Sequence, residues 1–156
     1  MPIYNIVLNS LNQASGGTNS NATYYFDWTV LQQGQYKVTF SYQGGSNTII
    51  TSRYATVSVE LGQSKTFTTS STSTSAPTSR IIGFLTPFIM TSTGTSSLIS
   101  SLNNQPIYLN AVPTSNTFSV QVSNPDGTPY TDTNVAVNAN YVLILNLELL
   151  SPNRQF

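Results

Sequence analysis

Hydrophobic and polar positions alternate with a period of two along most of the chain. Tyr36, Val38, Phe40 and Tyr42 alternate with Lys37, Thr39 and Ser41, which predicts a strand with one buried face. In Arg53–Leu61 the pattern puts Ala55, Val57, Val59 and Leu61 inward, with Thr56, Ser58 and Glu60 outward. In Thr117–Ser123 it sets Phe118, Val120 and Val122 against Ser119 and Gln121. Ile3–Leu8 predicts a first strand. Tyr24–Leu31 (YYFDWTVL) aligns Tyr24, Phe26, Trp28 and Val30, and Gln32–Gln35, with Gly34, makes a tight connection to Tyr36. A hairpin-like unit is therefore expected from Tyr24 to Tyr42. Pro106–Val112 predicts a further strand with Ile107, Leu109 and Ala111 on one side, and Ser64–Thr68 a short one centred on Phe67.

The most hydrophobic stretch is the last, Tyr141–Leu150 (YVLILNLELL), whose ten residues include no glycine or proline. It is too short to cross a bilayer as a helix. Its length suits a strand buried on both faces, although periodicity alone also fits a buried helix. As a strand it sends Leu143, Leu145, Leu147 and Leu149 to the core. Val142, Ile144, Asn146, Glu148 and Leu150 then share the second face, where Glu148 is the odd charge. Either that face is partly solvated, or Asn146 and Glu148 meet a neighbouring subunit with Arg53, Arg80 or Arg154 of the same or another chain as partner, since an unpaired buried carboxylate is too costly to keep.

Breaks separate these runs. Asn9–Asn21 reads as a loop or peripheral arm, and Gly44-Gly45-Ser46-Asn47 as an interruption. Thr69–Ser79 is almost pure Ser and Thr, a long solvated loop or a glycosylated or docking one. Arg80–Met90 (RIIGFLTPFIM) contains Gly83 and Pro87. Proline lacks a ladder donor, which predicts an edge strand, a bulged one, or two pieces. Leu98–Asn103 fits one helical turn. Asn124–Gly127 (NPDG) is a turn, Tyr130–Val137 a ragged strand or loop, and Ser151–Phe156 a frayed tail or an anchor that docks Phe156 in a neighbour.

No helical stripe exceeds two turns. About eight strands with long Ser/Thr-rich loops predict an all-β, antiparallel, eight-stranded jelly-roll sandwich. One domain, 1–156, is expected, with 1–21 as strand and arm and 151–156 as tail. In this fold a terminal strand lies inside a sheet, which suits Tyr141–Leu150.

Composition narrows the function. Charged residues are 6%, against roughly 25% in ordinary globular proteins. Ser, Thr, Asn and Gln supply 69 of the 156 positions, and five basic residues balance five acidic ones. Such a surface lacks the repulsion that keeps monomers apart, and suits an assembly or an extracellular display. Lys37, Arg53, Lys65, Arg80 and Arg154 are scattered, so no basic stripe for nucleic acid exists. Without histidine or cysteine, zinc sites and most nucleophile–base pairs are ruled out. The start, MPIYNIVLNS, is not a secretory signal.

The five carboxylates are Asp27, Glu60, Asp126, Asp132 and Glu148. A glycosidase needs two of them about 5 to 9 Å apart, and no spacing here forces that. Asp126 fits a role bonding the backbone of its own turn. Asp126 and Asp132 with Asn124 and Asn134 offer calcium oxygens, but at no EF-hand spacing. No catalytic residue, cofactor or metal is therefore expected. Nine tyrosines, among them Tyr24, Tyr25, Tyr36, Tyr42 and Tyr54, fit strand surfaces and protein interfaces, and also sugar-binding platforms. Trp28, Phe26 and Phe40 read as core. Asn21-Ala22-Thr23 is the sole glycosylation sequon.

YNIVLNS near the start, an Asn/Ser/Gly-rich link, YYFDW followed by YKVTFSY, FSVQVSNPDGTPY and the closing YVLILNLEL together resemble the small single-jelly-roll capsid proteins of large icosahedral eukaryotic DNA viruses. The resemblance spans nearly the whole chain as a pattern of strands and turns. It implies a minor structural component of the virion, a penton or cement protein beside the major capsid protein and other minor capsid proteins. It implies a homo-oligomer and no catalytic residues. The alternative is a carbohydrate-binding β-sandwich, of receptor-binding or adhesin type, with exposed tyrosines grouped beside Asn or Asp at one loop end.

Overall fold

The computed structural model describes residues 1–14, 18, 20–46, 55–59, 61, 81–90, 95–101, 104–124 and 140–152. The expected strand at Ser64–Thr68, the loops at Thr69–Ser79 and Tyr130–Val137, most of the NPDG turn and the end of the tail lie outside them. So do Arg53, Tyr54, Glu60, Lys65, Arg80, Asp126, Tyr130, Asp132, Asn134 and Arg154.

Nine strands are described: β1 (Ile3–Asn9), β2 (Asn21–Tyr25), β3 (Gly34–Ser46), β4 (Ala55–Val59), β5 (Ile81–Met90), β6 (Thr95–Ser100), β7 (Ile107–Leu109), β8 (Thr117–Ser123) and β9 (Tyr141–Pro152). All pair antiparallel, in the order β1-β9-β3-β6-β5-β4-β8-β2, with short β7 beside β3. The first half of that path, β1-β9-β3-β6, and the second, β5-β4-β8-β2, are the two sheets of a jelly roll. Successive strands cross between them, except at the β4–β5 and β6–β7 steps. The sheets stay hydrogen-bonded to each other through β5 and β6, from Leu85↔Ser100 to Met90↔Thr95. The fold expected from sequence is therefore present, with β7 as a ninth strand.

Alternation places the core. Leu143, Leu145, Leu147 and Leu149 of β9 are buried, as are Ile6 and Leu8 of β1 and Tyr36, Val38 and Tyr42 of β3. Facing them are Ala55, Val57 and Val59 of β4, Leu85 of β5 and Phe118, Val120 and Val122 of β8. Each fully buried leucine is worth about 1.5–3 kcal/mol relative to exposure. β9 is buried on one face only, because the other is the outside of the sandwich. There Val142 is exposed and Ile144, Asn146, Glu148 and Leu150 are half-buried.

Several expectations are corrected. Tyr24–Leu31 is no continuous strand and forms no hairpin with Tyr36–Tyr42. β2 pairs with β8, and β3 with β9. Asp27 accepts hydrogen bonds from Thr29 N–H (3.0 Å) and Thr29 Oγ1 (2.6 Å), capping a 3-10 turn at Trp28–Val30 that takes the chain to the other sheet. The apolar alternation runs on into this turn, yet Trp28 is 1% exposed and Val30 66%.

Gly44 does not interrupt β3. A Cβ there would lie 2.9 Å from Tyr42 Oη and 3.1 Å from Tyr141 Cβ, so the glycine makes room for a ring lying along its own strand. Leu98–Ser100 is strand rather than helical turn, because it pairs with both β3 and β5. β5 runs in one piece. Its register with β4 shifts between Val57 and Ser58, and Pro87 sits opposite Leu98 of β6, beyond the last described pair with β4, Ala55↔Leu85. The alternation in Pro106–Val112 fails after Leu109, where β7 ends, leaving Ala111 exposed and Val112 buried. Thr56, expected outward, is buried.

Where β6 ends, a side chain prolongs the ladder. Asn104 Oδ1 accepts from Phe84 N–H (2.8 Å) and its Nδ2 donates to Phe84 C=O (2.9 Å), as a neighbouring strand would. Asn104→Ala is expected to lower stability by about 1–2 kcal/mol, and Asn104→Asp, which loses the donor, by a similar amount. Urea denaturation checks this; no change in midpoint would show that water replaces the amide freely.

Candidate functional site

The outer face of β1, β9 and β3 is the most distinctive surface. Residues paired across strands share a face, so register alone draws its rows. One row runs Ile3, Glu148, Lys37, Tyr108; the next Asn5, Asn146, Thr39; then Val7, Ile144, Ser41; and last Asn9, Val142, Gln43, Ile99. Ile3, Val7, Val142, Ile99 and Tyr108 are exposed. The row of Asn5, Asn146 and Thr39 sets amides and a hydroxyl between the row of Ile3 and that of Val7.

The face carries one ion pair. Lys37 Nζ lies 3.5 Å from Glu148 Oε2, with both side chains more than a third exposed. Among the described residues the partner of Glu148 is the opposite residue on β3; Arg53, Arg80 and Arg154 lie outside them. In so open a setting the pair is worth between zero and about 1 kcal/mol. Its effect is to cancel the two charges in these rows. The result is a sheet surface of near-zero charge with scattered apolar side chains, close in chemistry to the charge-depleted centre of a protein interface.

The two described carboxylates, Asp27 and Glu148, form no comparable site. Glu148 is paired as above. Asp27 is exposed, and its carboxyl is held below the usual range by the Thr29 hydroxyl and then by the Thr29 N–H. Among the described residues no three His, Cys, Asp or Glu side chains gather as a metal site requires. No helix among them is long and apolar enough to cross a membrane.

The tyrosines divide sharply. Tyr24, Tyr36, Tyr42 and Tyr141 are buried, Tyr4 is half-buried, and Tyr25 and Tyr108 are exposed. The exposed two belong to different sheets, Tyr25 to β2 and Tyr108 to β7. Most of the described tyrosine is thus core, in an aromatic seam that sequence alone did not reveal. The Tyr42 and Tyr141 rings stack at 5.2 Å, and Tyr141 Oη bonds Tyr24 Oη at 2.7 Å across the two sheets. Tyr24 then packs on Phe118 (6.2 Å), Phe118 on Trp28 (5.6 Å) and Trp28 on Phe26 (4.8 Å). Burial pushes the Tyr141 phenol far above its ordinary value, and its hydrogen bond to Tyr24 adds to the shift. The Tyr24–Tyr141 bond, with these ring contacts on either side of it, joins the two sheets.

No protein-family model and no curated protein matches the chain.

Proposed function

We propose that the protein is a structural component of an icosahedral virion, a minor capsid protein in a penton or cement position that holds its place by protein contacts. The observation that carries this reading is the outer face of β1, β9 and β3, of near-zero net charge and partly apolar, on a jelly-roll frame. Its partners would be the major capsid protein, other minor capsid proteins and further copies of itself. The family resemblance in the strand and turn pattern supports the same assignment. Binding through such a face rests on shape and modest apolar burial rather than on charge, so it should vary little with salt. The carbohydrate-binding alternative needs exposed tyrosines grouped at one loop end; of the described tyrosines four are buried, and the exposed Tyr25 and Tyr108 belong to β2 and β7.

The test places an arginine in the middle of the face. Asn146 lies between Asn5 and Thr39 with its side chain half-exposed, so Asn146→Arg should fold normally while setting an unpaired charge in the contact. The expected result is a melting temperature within a few degrees of the parent chain and at least about a tenfold loss of incorporation into purified particles, equivalent to 1.4 kcal/mol. Incorporation equal to that of the parent chain, or absence of the parent chain from particles, would refute the assignment.

A further inference from the structure

A curled sheet path has two ends, and this protein treats them differently. Among the described residues the path ends in the edge strands β1 and β2, and three-residue β7, paired with β3 alone, is a short third edge. Leu149 N–H donates to Pro2 C=O at 3.2 Å, so the even-numbered residues of β1 direct their backbone groups to β9. By alternation Ile3, Asn5 and Val7 turn theirs outward. In β2, Val122 N–H donates to Ser20 C=O (3.0 Å), so Asn21 and Thr23 face outward in the same way.

The β2 edge is covered. Asn21 exchanges both backbone hydrogen bonds with Thr18 (3.1 and 3.0 Å), and Thr23 C=O accepts from Ala14 N–H (2.8 Å). Along Ile3, Asn5 and Val7 no described residue does the same for β1. Nor does β1 carry the usual protection of an open edge, which is a lysine, a proline or a bulge within the strand. Its sequence, IYNIVLN, has no charge and pairs with β9 without a register shift. Its outward side chains Ile3 and Val7 are 63% and 60% exposed.

We propose that the β1 edge binds the β1 edge of a second copy of this chain, antiparallel about a two-fold axis through Asn5. In that register Ile3 faces Val7 of the other copy, Asn5 faces Asn5, and the outward N–H and C=O groups of all three residues find partners. The two Ile–Val pairs bury exposed apolar side chains. The two Asn5 amides meet at the axis and hydrogen-bond each other. A chain of zero net charge with an uncharged edge meets no electrostatic barrier to its own copy, and a two-fold edge contact is self-complementary. The pairing fuses two β1-β9-β3-β6 sheets into one and extends the outer face described above across both copies. It deepens the self-association part of the proposed function without needing a particle.

Sedimentation of the purified full chain, with circular dichroism to establish folding, tests this. The parent chain is expected to be a dimer that dissociates on dilution. Asn5→Lys and Asn5→Glu should each fold normally and weaken the dimer about tenfold or more, because like charges then face each other across the axis. An equimolar mixture of the two variants should dimerise again, since an ammonium on one copy then opposes a carboxylate on the other. A monomeric parent chain, a folded lysine variant that dimerises as tightly as the parent, or a mixture that stays monomeric would each overturn the proposal. A dimer found in solution but never in particles would uphold the edge while refuting the shell assignment.

Discussion

Gly83→Ala is expected to destabilise the protein by about 3 kcal/mol, the upper end of what overpacking a core costs. Gly83 lies in β5, and the ring of Phe40, from β3 in the other sheet, rests against its Cα. A Cβ at that position would come 2.5 Å from Phe40 Cζ and 2.7 Å from Asn104 Oδ1. Neither neighbour is free to retreat. Phe40 packs half-buried against the core, so its ring must shift off that packing, and Asn104 is fixed by its two bonds to the Phe84 backbone. For a chain of this size the expected fall in melting temperature is about 6–12 °C. Phe40→Leu in the same background should recover at least about 1 kcal/mol of the loss, a coupling energy typical of residues in contact. Strict additivity of the two changes in urea denaturation would show that the ring and the glycine are not in contact.

The same glycine marks what can and cannot be seen in a sequence. Period-two runs at Tyr36–Tyr42, Ala55–Val59 and Thr117–Ser123 become strands with the inward residues foreseen, because one-sided burial leaves its mark on every second residue. The four β9 leucines follow the same rule. Gly44 and Gly83 look like interruptions, since in one dimension a glycine between apolar residues reads as a break. In three dimensions each is the hollow that accepts a ring, Tyr42 in one case and Phe40 in the other. Val30 misleads for the opposite reason: its apolar phase continues that of Tyr24, Phe26 and the buried Trp28, but Asp27 bonds Thr29 and turns the backbone, leaving Val30 exposed.

The outer face was half visible. Asn146 and Glu148 stand out as polar residues in an apolar run, but the partner of Glu148 depends on the β3–β9 register, which no local pattern encodes. Lys37, 111 positions upstream of Glu148 by numbering, is opposite it only because β3 and β9 are neighbours in the sheet. The exposed edge of β1 is likewise a property of strand order. Residues 3–9 read the same whether covered or open, and only the contrast with β2, whose backbone is bonded by Ala14 and Thr18, brings it out.

The seam of tyrosines between the sheets should give the protein a steep alkaline limit. The Tyr24–Tyr141 hydroxyl pair is buried, so Tyr141→Phe strands one hydroxyl without a partner and should cost about 1–3 kcal/mol; Tyr24→Phe should cost a similar amount. The double variant should cost less than the sum of the two, because it leaves no orphan. The pH dependence follows from the same burial. Burial raises both phenols above the ordinary 10.0, and their hydrogen bond raises Tyr141 further while partly offsetting the rise of Tyr24. Tyr36 is also raised, by burial and then by Tyr4. A raised pKa means that the unfolded chain releases its proton first. Stability is therefore fully present below the ordinary value and falls as pH climbs above it, by about 1.4 kcal/mol per pH unit for each phenol still protonated in the fold. The double variant Tyr24→Phe, Tyr141→Phe removes two of these phenols and keeps Tyr36. Its urea midpoint, followed from about pH 8 to about pH 11, should fall less steeply than that of the parent chain. Parallel curves for the two proteins would mean that the pair ionises as readily in the fold as out of it, and that the seam is wetter than its geometry implies.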